Sequence, residues 1–335
     1  MPKTTMTAVV FDEPASESDG FAALTTGEVP MPDHGAGTVV VRTALAPINP
    51  SDLLFASGRF PGPARLAFPK QVAGISGAGH LASNEGSDAE RLFHYTAFGT
   101  WAEYVSVPEE SLIELPKDYP LELAAQFSNV VTAWQLVEKS GVRPGQWLAL
   151  TAGYSTVALI ALQFAARKGI NVLSVVRRRR PRIDLAAHGA AAVVVPNEAA
   201  APLSDIVLET THGQGLSGVA DCVAGRQLGE LIRSCAPFSR VLLYGCLDES
   251  DLGVTGPEIM YSFVNIEPYS YPFTFDPPRS DADQRMLRAV IKDSADGQIA
   301  VDTAGKFPLE NFRDALDGHV AGNVPGKFFL AANTD

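Results

Sequence analysis

Short apolar runs alternate with helical segments through the middle of the chain. The run WLALTA is followed by the helical segment STVALIALQFAARKG and then by INVLSVV, and three further runs of strand length are AAVVVP, GVADCVAG and RVLLYG. Strands that are apolar throughout are typical of a parallel sheet that is buried on both faces. Their alternation with helices predicts right-handed βαβ units, so we expect an α/β fold with a doubly wound parallel sheet over residues 122–266.

The segments on either side of this region have a different texture. The first 121 residues are dense in Pro and Gly and contain short β-rich runs such as MTAVVF and AEYVSVP, which predict a small, mostly β domain. A connector rich in Pro and aromatic residues, SYPFTFDPPRS, leads to two helical patterns and a final strand pattern, GKFFLAA. We therefore divide the 335 residues into domains at 1–121 and 122–266 and a C-terminal segment at 267–335.

The composition excludes several classes of protein. A formal net charge of −12 argues against a general nucleic-acid surface, because binding to phosphates requires clustered cations. No window approaches the roughly 18 uninterrupted apolar residues of a membrane span, and we expect a cytoplasmic protein. The widely spaced Cys222, Cys235 and Cys246 are predicted to be buried free thiols. Since the histidines also lack metal-ligand spacing, no metal site is predicted.

A strand, a tight turn and the start of a helix meet at Ala152–Thr156. Such a junction binds anions, because the first N–H groups of a helix lack partners within the helix and carry the positive end of its dipole. Gly153 is the single glycine of the turn, where dinucleotide-binding turns usually have three. Ser155 and Thr156 are able to cap the helix and to donate hydroxyl hydrogen bonds to a phosphate. On these residues alone, an ordinary structural turn stays an open alternative.

The end of the next strand carries a run of arginines. The segment VVRRRRPR holds Arg177, Arg178, Arg179, Arg180 and Arg182, with no carboxylate before Asp184. In nicotinamide-binding folds an acidic residue at this point receives the ribose hydroxyls of NAD, whereas arginine accommodates the additional phosphate of NADP. Guanidinium groups match phosphate with paired hydrogen bonds. The run therefore favours NADPH, with Arg177 and Arg178 nearest the strand end, and a solvated basic turn is the alternative.

Stretches along nearly the whole chain resemble the medium-chain dehydrogenase/reductase superfamily. They are APINPSDLLFASGRFP, FGTWAEYVSVP, NVVTAWQLVEKSGVRPGQWLAL, DCVAG, VLLYG and FPLENFRDALDGHVAGNVPGKFFL. The NPSD motif and the arginine-containing strand end are similar to those of the zinc-free quinone oxidoreductases and 2-enoyl thioester reductases. The resemblance implies a GroES-like mostly β domain, a Rossmann nucleotide-binding domain, a C-terminal segment that returns to the first domain, and NADPH as cofactor.

The resemblance also implies roles for single residues. Asn49 and Thr132 are implied to hydrogen-bond around the nicotinamide or the substrate carbonyl, and Lys327 to approach the cofactor from the C-terminal segment. The predicted cofactor-binding residues are Gly153, Tyr154, Ser155, Thr156, Val157, Arg177, Arg178, Arg179, Tyr244, Gly245 and Lys327.

Ordinary structural roles remain open for several of these residues. Asn49 before Pro50 suits a simple turn, Thr132 suits a bond to its own helix backbone, and Lys327 suits a solvated strand edge. Asp52 is predicted to cap a helix that starts at Leu53.

Zinc ligands are missing from the positions at which zinc-dependent relatives have them. Those relatives carry a Cys in the segment matching INPSD and a His-Glu pair where this chain has VAGISGAG; here Ser51, Gly74 and Ile75 occupy that neighbourhood. Because Zn²⁺ requires Cys, His or carboxylate ligands in such a site, a zinc alcohol dehydrogenase is excluded.

The proton donor of the related enoyl reductases also has no counterpart. The family's proposed donor is a tyrosine after NPSD, and the matching position is Phe60, which has no proton to give. Tyr95, Lys70 or water could protonate the product instead. Alternatively, the substrate could be a quinone or enone whose product takes its proton from solvent, or catalysis could be weak.

The sequence therefore supports a zinc-independent, NADPH-dependent reductase of a C=C bond conjugated to a carbonyl, in a 2-enoyl thioester or in a quinone or enone. The alternative is an NADPH-binding accessory or redox-sensing protein with little catalysis, which the sparse glycines and Phe60 favour. By analogy with the family we expect a homodimer formed through an edge of the nucleotide domain's sheet, with SRVLLYGCL as the candidate interface strand. We also expect a small-molecule substrate and no nucleic-acid or membrane partner.

Overall fold

The structure is a computed structural model that describes residues 3–60, 66–82, 91–198, 200–269, 271, 279–322 and 324–332. The chain forms two compact units, one made of Met1–Ser128 with Asp276–Asp335 and the other of Asn129–Phe275. Most of the predicted connector at 270–280 lies outside the described residues.

The N-terminal part of the first unit is mostly β, as the short β-rich runs predict. Its strands are β1 (Thr5–Phe11), β2 (Thr25–Pro30), β3 (Thr38–Pro47), β4 (Gln71–Val72), β5 (Ser76–Leu81), β6 (Leu92–Thr96), β7 (Tyr104–Pro108) and β8 (Ile113–Leu115). Its two short helices are α1 (Pro50–Ala56) and α2 (Leu121–Ala125).

The second unit is the doubly wound part of the chain. Its helices are α3 (Phe127–Ser140), α4 (Thr156–Arg167), α5 (Leu203–Thr210), α6 (Gly225–Arg233) and α7 (Gly256–Ser262). Its strands are β9 (Trp147–Leu150), β10 (Asn171–Val175), β11 (Ala192–Val194), β12 (Leu216–Asp221), β13 (Cys235–Leu243) and β14 (Asn265–Pro268).

The sheet of the second unit confirms the α/β prediction. Its strand order is β11-β10-β9-β12-β13-β14, and every pairing is parallel. In order of appearance this is 3-2-1-4-5-6, the Rossmann arrangement, in which ligands bind beyond the carboxyl ends of the strands where the order reverses. In this unit that point lies between β9 and β12.

The predicted interface strand does not lie at an edge of this sheet. Residues 239–243 of SRVLLYGCL belong to β13, which pairs with β12 on one side and with β14 on the other. The expectation of a free strand there is wrong, because Asn265–Pro268 adds a sixth strand. That segment, NIEP, has a single large apolar residue and no alternation, so the sequence pattern gives little sign of it.

The C-terminal segment completes the first unit. It contains α8 (Asp281–Ser294), β15 (Thr303–Pro308), α9 (Phe312–Ala321) and β16 (Lys327–Ala331). Strand β16 pairs antiparallel with β3, with Leu330 opposite Ala46, and β15 pairs parallel with β16. The C-terminal segment therefore supplies two strands to the larger sheet of the first unit, in which the order is β15-β16-β3-β5-β6-β8 and β7 also pairs with β3. A smaller sheet of the same unit has the order β2-β1-β4.

The contact boundaries of the two units differ from the predicted ones. The first falls after Ser128 rather than after residue 121, because the buried residues of α2 pack on β3, β5 and β6. The second falls after Phe275 rather than after residue 266, because β14 is part of the second sheet.

Each unit has its own apolar core. In the first, Phe11, Phe55 and Trp101 are buried with residues of α9 and β16. In the second, buried side chains of the parallel strands pack against α5 and α6. Among the described residues, no helix is both long and apolar enough to cross a bilayer.

Candidate functional site

The turn after β9 has the geometry of an anion-binding junction. Ser155 is the N-cap of α4, and its hydroxyl accepts a hydrogen bond from the Ala158 N–H at 3.2 Å. Thr156 is the first helical residue. The free N–H groups and positive dipole end of α4 therefore lie directly after the turn.

The glycine of this turn serves close packing rather than an unusual backbone angle. The left-handed conformation belongs to Ala152, with φ of 45°. The Gly153 N–H donates to the Val175 carbonyl at 3.1 Å, and a Cβ at Gly153 would overlap the Ser174 hydroxyl. One glycine is therefore enough to bring the turn against the end of β10.

Buried hydroxyl groups border the turn. The Ser174 hydroxyl lies beneath Gly153, and the Tyr244 hydroxyl lies beside Ser155. The Tyr244 hydroxyl interacts with the Cys222 thiol and the Ser155 hydroxyl, whereas the Ser174 hydroxyl has no hydrogen-bond partner among the described residues. Buried polar groups without partners are rare and call for a ligand, an ion or water, so the Ser174 hydroxyl marks a polar position at the carboxyl end of β10.

The loops after β12 and β13 run side by side. The Tyr244 N–H donates to the Asp221 carbonyl at 2.8 Å, and the Leu247 N–H donates to the Cys222 carbonyl at 3.3 Å. A Cβ at Gly245 would lie 2.9 Å from the Cys222 carbonyl oxygen, so this approach requires a glycine. The predicted residues Tyr244 and Gly245 thus lie at the carboxyl end of the sheet.

The sequence analysis missed a buried carboxyl group in the same loops. Asp221 ends β12, and its Oδ2 accepts from the Ala224 N–H at 2.6 Å. Burial raises the pKa of Asp221. The sequence signal for this carboxyl group is the segment GVAD, in which a polar residue ends an otherwise apolar strand.

The arginine run follows the end of β10, and most of its side chains are exposed to solvent. Arg177, Arg178 and Arg179 are exposed, whereas Arg180 is half-buried. Arg179 forms an ion pair with Glu198, 3.3 Å between Nε and Oε2.

The nearby carboxylate is engaged in its own turn. Oδ1 of Asp184 accepts from the N–H groups of Ala186 at 3.0 Å and Ala187 at 3.2 Å. The strand end therefore offers guanidinium groups rather than a carboxylate, which fits a phosphate-bearing nucleotide.

Tyr154 joins the turn to the arginine run. Its hydroxyl accepts a hydrogen bond from the Arg180 N–H at 3.0 Å, and the Arg180 guanidinium lies 5.6 Å from the centre of its ring. The predicted turn residues Gly153–Val157 and the arginine run are therefore in direct contact. Burial, together with the neighbouring guanidiniums of Arg178 and Arg177, lowers the pKa of Arg180.

In the first unit, Asn49 is the N-cap of α1, which begins at Pro50 and not at Leu53. The prediction that Asp52 caps the helix is therefore wrong in position. Asp52 is the third helical residue, and its buried carboxylate accepts from the Asn49 N–H at 2.6 Å and the Ile75 N–H at 2.8 Å. It ties the loop containing Asn49 to the chain before β5.

Lys327 lies beside this loop. The Ile48 N–H donates to the Phe328 carbonyl at 3.0 Å, so the residues on either side of this bond, Asn49 and Lys327, are neighbours. Lys327 is only 5% exposed, and β16 has a strand on each side; a solvated edge lysine is therefore excluded.

Two ionisable side chains, Asp52 and Lys327, are buried near each other at this point. Burial raises the pKa of the Asp52 carboxyl, an effect that two backbone N–H donors and the Lys327 ammonium oppose. Burial likewise lowers the pKa of Lys327, and the Asp52 carboxylate opposes this shift. Burial and the nearby Lys327 lower the pKa of His319 to about 4.

Phe60 is half-buried and packs edge-on against Phe98, with ring centres 6.0 Å apart. Of the alternative proton donors, Tyr95 is fully buried and donates to the Thr43 hydroxyl at 2.9 Å, and burial raises its pKa. Lys70 donates from Nζ to the Glu28 carbonyl at 3.0 Å. The contacts of both side chains are therefore structural.

Thr132 is buried in α3 beside the hydroxyl of Tyr269, and its implied role stays a prediction.

Cys222 and Cys235 are partly buried, but Cys246 is exposed, so the expectation of a buried thiol is wrong for Cys246. Within the part of the chain that the structure describes, no three His, Cys, Asp or Glu side chains are grouped to hold a metal ion.

Sequence comparisons with known proteins find relatives that are named as reductases. No family model matches the chain. A mitochondrial enoyl-[acyl-carrier-protein] reductase of Xenopus tropicalis is 27% identical over 295 residues, which cover 83% of this chain and 82% of the relative. An NADPH quinone oxidoreductase of Kluyveromyces marxianus is 27% identical over 290 residues, which cover 78% and 75%.

Solved structures have the same fold. The Escherichia coli quinone oxidoreductase complexed with NADPH superimposes with a TM-score of 0.82 at 20% identity, over 97% of this chain and 99% of that one. A mycobacterial quinone oxidoreductase gives a TM-score of 0.82 at 22% identity over the same shares. In sequence and in fold, the chain is therefore similar to the quinone oxidoreductases and enoyl reductases of the medium-chain dehydrogenase/reductase superfamily.

Proposed function

We propose that this protein is an NADPH-dependent oxidoreductase that reduces a C=C bond conjugated to a carbonyl group, without zinc. Relatives named enoyl-[acyl-carrier-protein] reductase and NADPH quinone oxidoreductase support the reductase activity and the cofactor. The observation that carries the proposal is the carboxyl edge of the second sheet, where the turn before α4 meets an arginine run in which Glu198 pairs with Arg179 and Asp184 is engaged in its own turn.

The chain's own residues suit the binding of a nucleotide with an additional phosphate. The N-terminus of α4 and the hydroxyls near Gly153 would face the pyrophosphate, and Arg177 and Arg178 would bind the 2′-phosphate. NADPH, when bound, supplies a hydride to the carbon β to the carbonyl.

The residues of the first unit would act on the substrate. Asn49, whose backbone is fixed by Asp52, would donate a hydrogen bond to the carbonyl oxygen, on which negative charge develops. Thr132, which belongs to the second unit, is proposed separately to hydrogen-bond a carbonyl of the nicotinamide or of the substrate. Because Phe60 carries no proton and Tyr95 donates to Thr43, we propose that water protonates the product, which suits quinone and enone substrates as well as enoyl thioesters.

Cofactor binding tests the first part of the proposal. Replacing Arg177 and Arg178 by Ala should weaken NADPH by at least about tenfold, since hydrogen bonds to charged groups contribute about 1.5–3 kcal/mol each. NADH should be affected by less than about twofold on the same reasoning. Arg143→Ala, an exposed arginine in the loop that precedes β9, is the matched control. Equal losses for both nucleotides would remove the phosphate role.

Turnover tests the second part. NADPH absorbance is followed with a crotonyl thioester and with a small quinone, and oxidation with either supports the reductase. An NADPH-binding accessory or redox-sensing protein is the second candidate, favoured by Phe60 at the position of the family's tyrosine. Tight NADPH binding without oxidation by either substrate would support that alternative.

A further inference from the structure

Tyr154 occupies an unusual place in the nucleotide turn. It lies between Gly153 and the helix cap Ser155, yet its side chain is directed to a loop 26 residues further along the chain. There its hydroxyl accepts the Arg180 N–H at 3.0 Å, and its ring lies 5.6 Å from the Arg180 guanidinium. One side chain thus makes a backbone contact and a cation–π contact with the same residue.

The loop that it contacts has few other fixed points. Residues 177–180 are outside any helix or strand. Arg179 is held by the solvent-exposed ion pair with Glu198, and such pairs contribute little to stability. The Arg180 carbonyl accepts from the Ile183 N–H at 3.0 Å, which closes the turn on its far side. The contacts of Tyr154 with Arg180 therefore fix this loop against the turn before α4.

The contact also lowers the cost of grouping like charges. Arg177 and Arg178 lie close enough to Arg180 to lower its pKa. An aromatic face beside Arg180 offsets part of this repulsion. A cluster of guanidiniums that is already arranged binds a phosphate with a smaller loss of conformational entropy than a mobile one.

We infer that Tyr154 is a positioning residue for nucleotide selection: by holding Arg180 against the phosphate turn, it keeps Arg177 and Arg178 in place for the 2′-phosphate of NADPH. The inference rests on the proposed function. It assigns the discrimination between NADPH and NADH to the residue that joins the turn to the arginine run, as well as to the arginines themselves.

Two substitutions separate the contacts of Tyr154. Tyr154→Phe removes the hydrogen bond and keeps the ring, and Tyr154→Ala removes both. Tyr261→Phe, at a tyrosine that is 71% exposed on α7, is the matched control. Dissociation constants for NADPH, NADH and adenosine 2′,5′-bisphosphate are measured by calorimetry, and the thermal midpoint of each variant is recorded.

We expect Tyr154→Phe to weaken NADPH and the bisphosphate about fivefold, the equivalent of one hydrogen bond, and NADH by less than about twofold. Tyr154→Ala should have a larger effect in the same direction, because it also removes the cation–π contact with Arg180. Such a selective loss, at an unchanged thermal midpoint for Tyr154→Phe, supports the inference.

Three results would overturn it. Unchanged binding of NADPH by both Tyr154 variants would show that the arginines are held without Tyr154. Equal weakening of NADPH and NADH would reduce Tyr154 to a structural residue of the turn. If the unmodified protein itself does not prefer NADPH to NADH, the proposed cofactor fails together with the inference, and this result is distinct from the other two.

Discussion

Replacing Asp52 by Ala should destabilise the first unit strongly. Its buried carboxylate accepts two backbone hydrogen bonds, from Asn49 at 2.6 Å and from Ile75 at 2.8 Å. Each buried donor left without a partner costs about 1–3 kcal/mol, so the two together predict a loss of about 2–6 kcal/mol. The Lys327 ammonium also loses its neighbouring carboxylate, which acts in the same direction.

The matched control is Asp283→Ala. Asp283 is also the third residue of its helix and accepts from the Ser280 N–H at 3.0 Å, but it is accessible to solvent. Loss of such an exposed cap costs about 1 kcal/mol. At about 2–4 °C per kcal/mol for a unit of this size, Asp52→Ala should lower the thermal midpoint by about 4–24 °C, against about 2–4 °C for Asp283→Ala.

Tryptophan fluorescence provides the assay. Trp101 is fully buried in the core of the first unit, whereas Trp134 and Trp147 belong to the second unit. With both of the latter replaced by Phe, the emission reports the first unit alone. A midpoint for Asp52→Ala within about 2 °C of that for Asp283→Ala would refute the reasoning, because the buried N–H groups would then have found other partners.

Further substitutions and a chemical probe test other features. Phe60→Tyr should raise turnover with enoyl thioesters if the missing donor limits the chemistry, and an unchanged kcat would indicate that the proton comes from elsewhere. Gly153→Ala should lower the thermal midpoint, since its methyl group would overlap a side chain of β10, whereas Gly256→Ala meets open space and should be neutral; equal midpoints would contradict the packing argument. Cys246 should react first with a thiol reagent at pH 8, because it is exposed while burial raises the pKa of Cys235 to about 12, and mass spectrometry showing Cys235 labelled first would contradict this.

The sequence was sufficient to predict strands β9 to β13 of the second sheet but not its edge strand β14. Apolar runs at regular spacing predict β9 to β13, because burial on both faces requires such residues. The segment NIEP of β14 lacks that pattern, so its pairing with β13 depends on backbone geometry that the sequence does not display. The same limit explains why β13 was expected at an edge.

The sequence signal for α1 was present but interpreted incorrectly. In NPSD, Asn49 is a favourable N-cap, Pro50 suits the first helical position, and Asp52 stands where a carboxylate reaches back to the cap. These residues predict a helix from Pro50, as the structure has it.

Contacts between distant residues could not be predicted from one sequence. Tyr154 and Arg180 are 26 positions apart, and the buried Asp52 and Lys327, whose charges influence each other, come from near opposite ends of the sequence. No periodicity links such pairs, because their contact follows from the strand order and not from local propensity.

The place of β16 has a consequence for how the chain acquires its fold during synthesis. The second unit is continuous, from Asn129 to Phe275, so all of its strands are available before the C-terminal segment is made. The first unit has β16 in the interior of its larger sheet, between β15 and β3. The pairing of β3 and β15 with β16 must therefore wait for residues 327–331, so the first unit is completed after the second, although most of its residues precede the second unit in the chain.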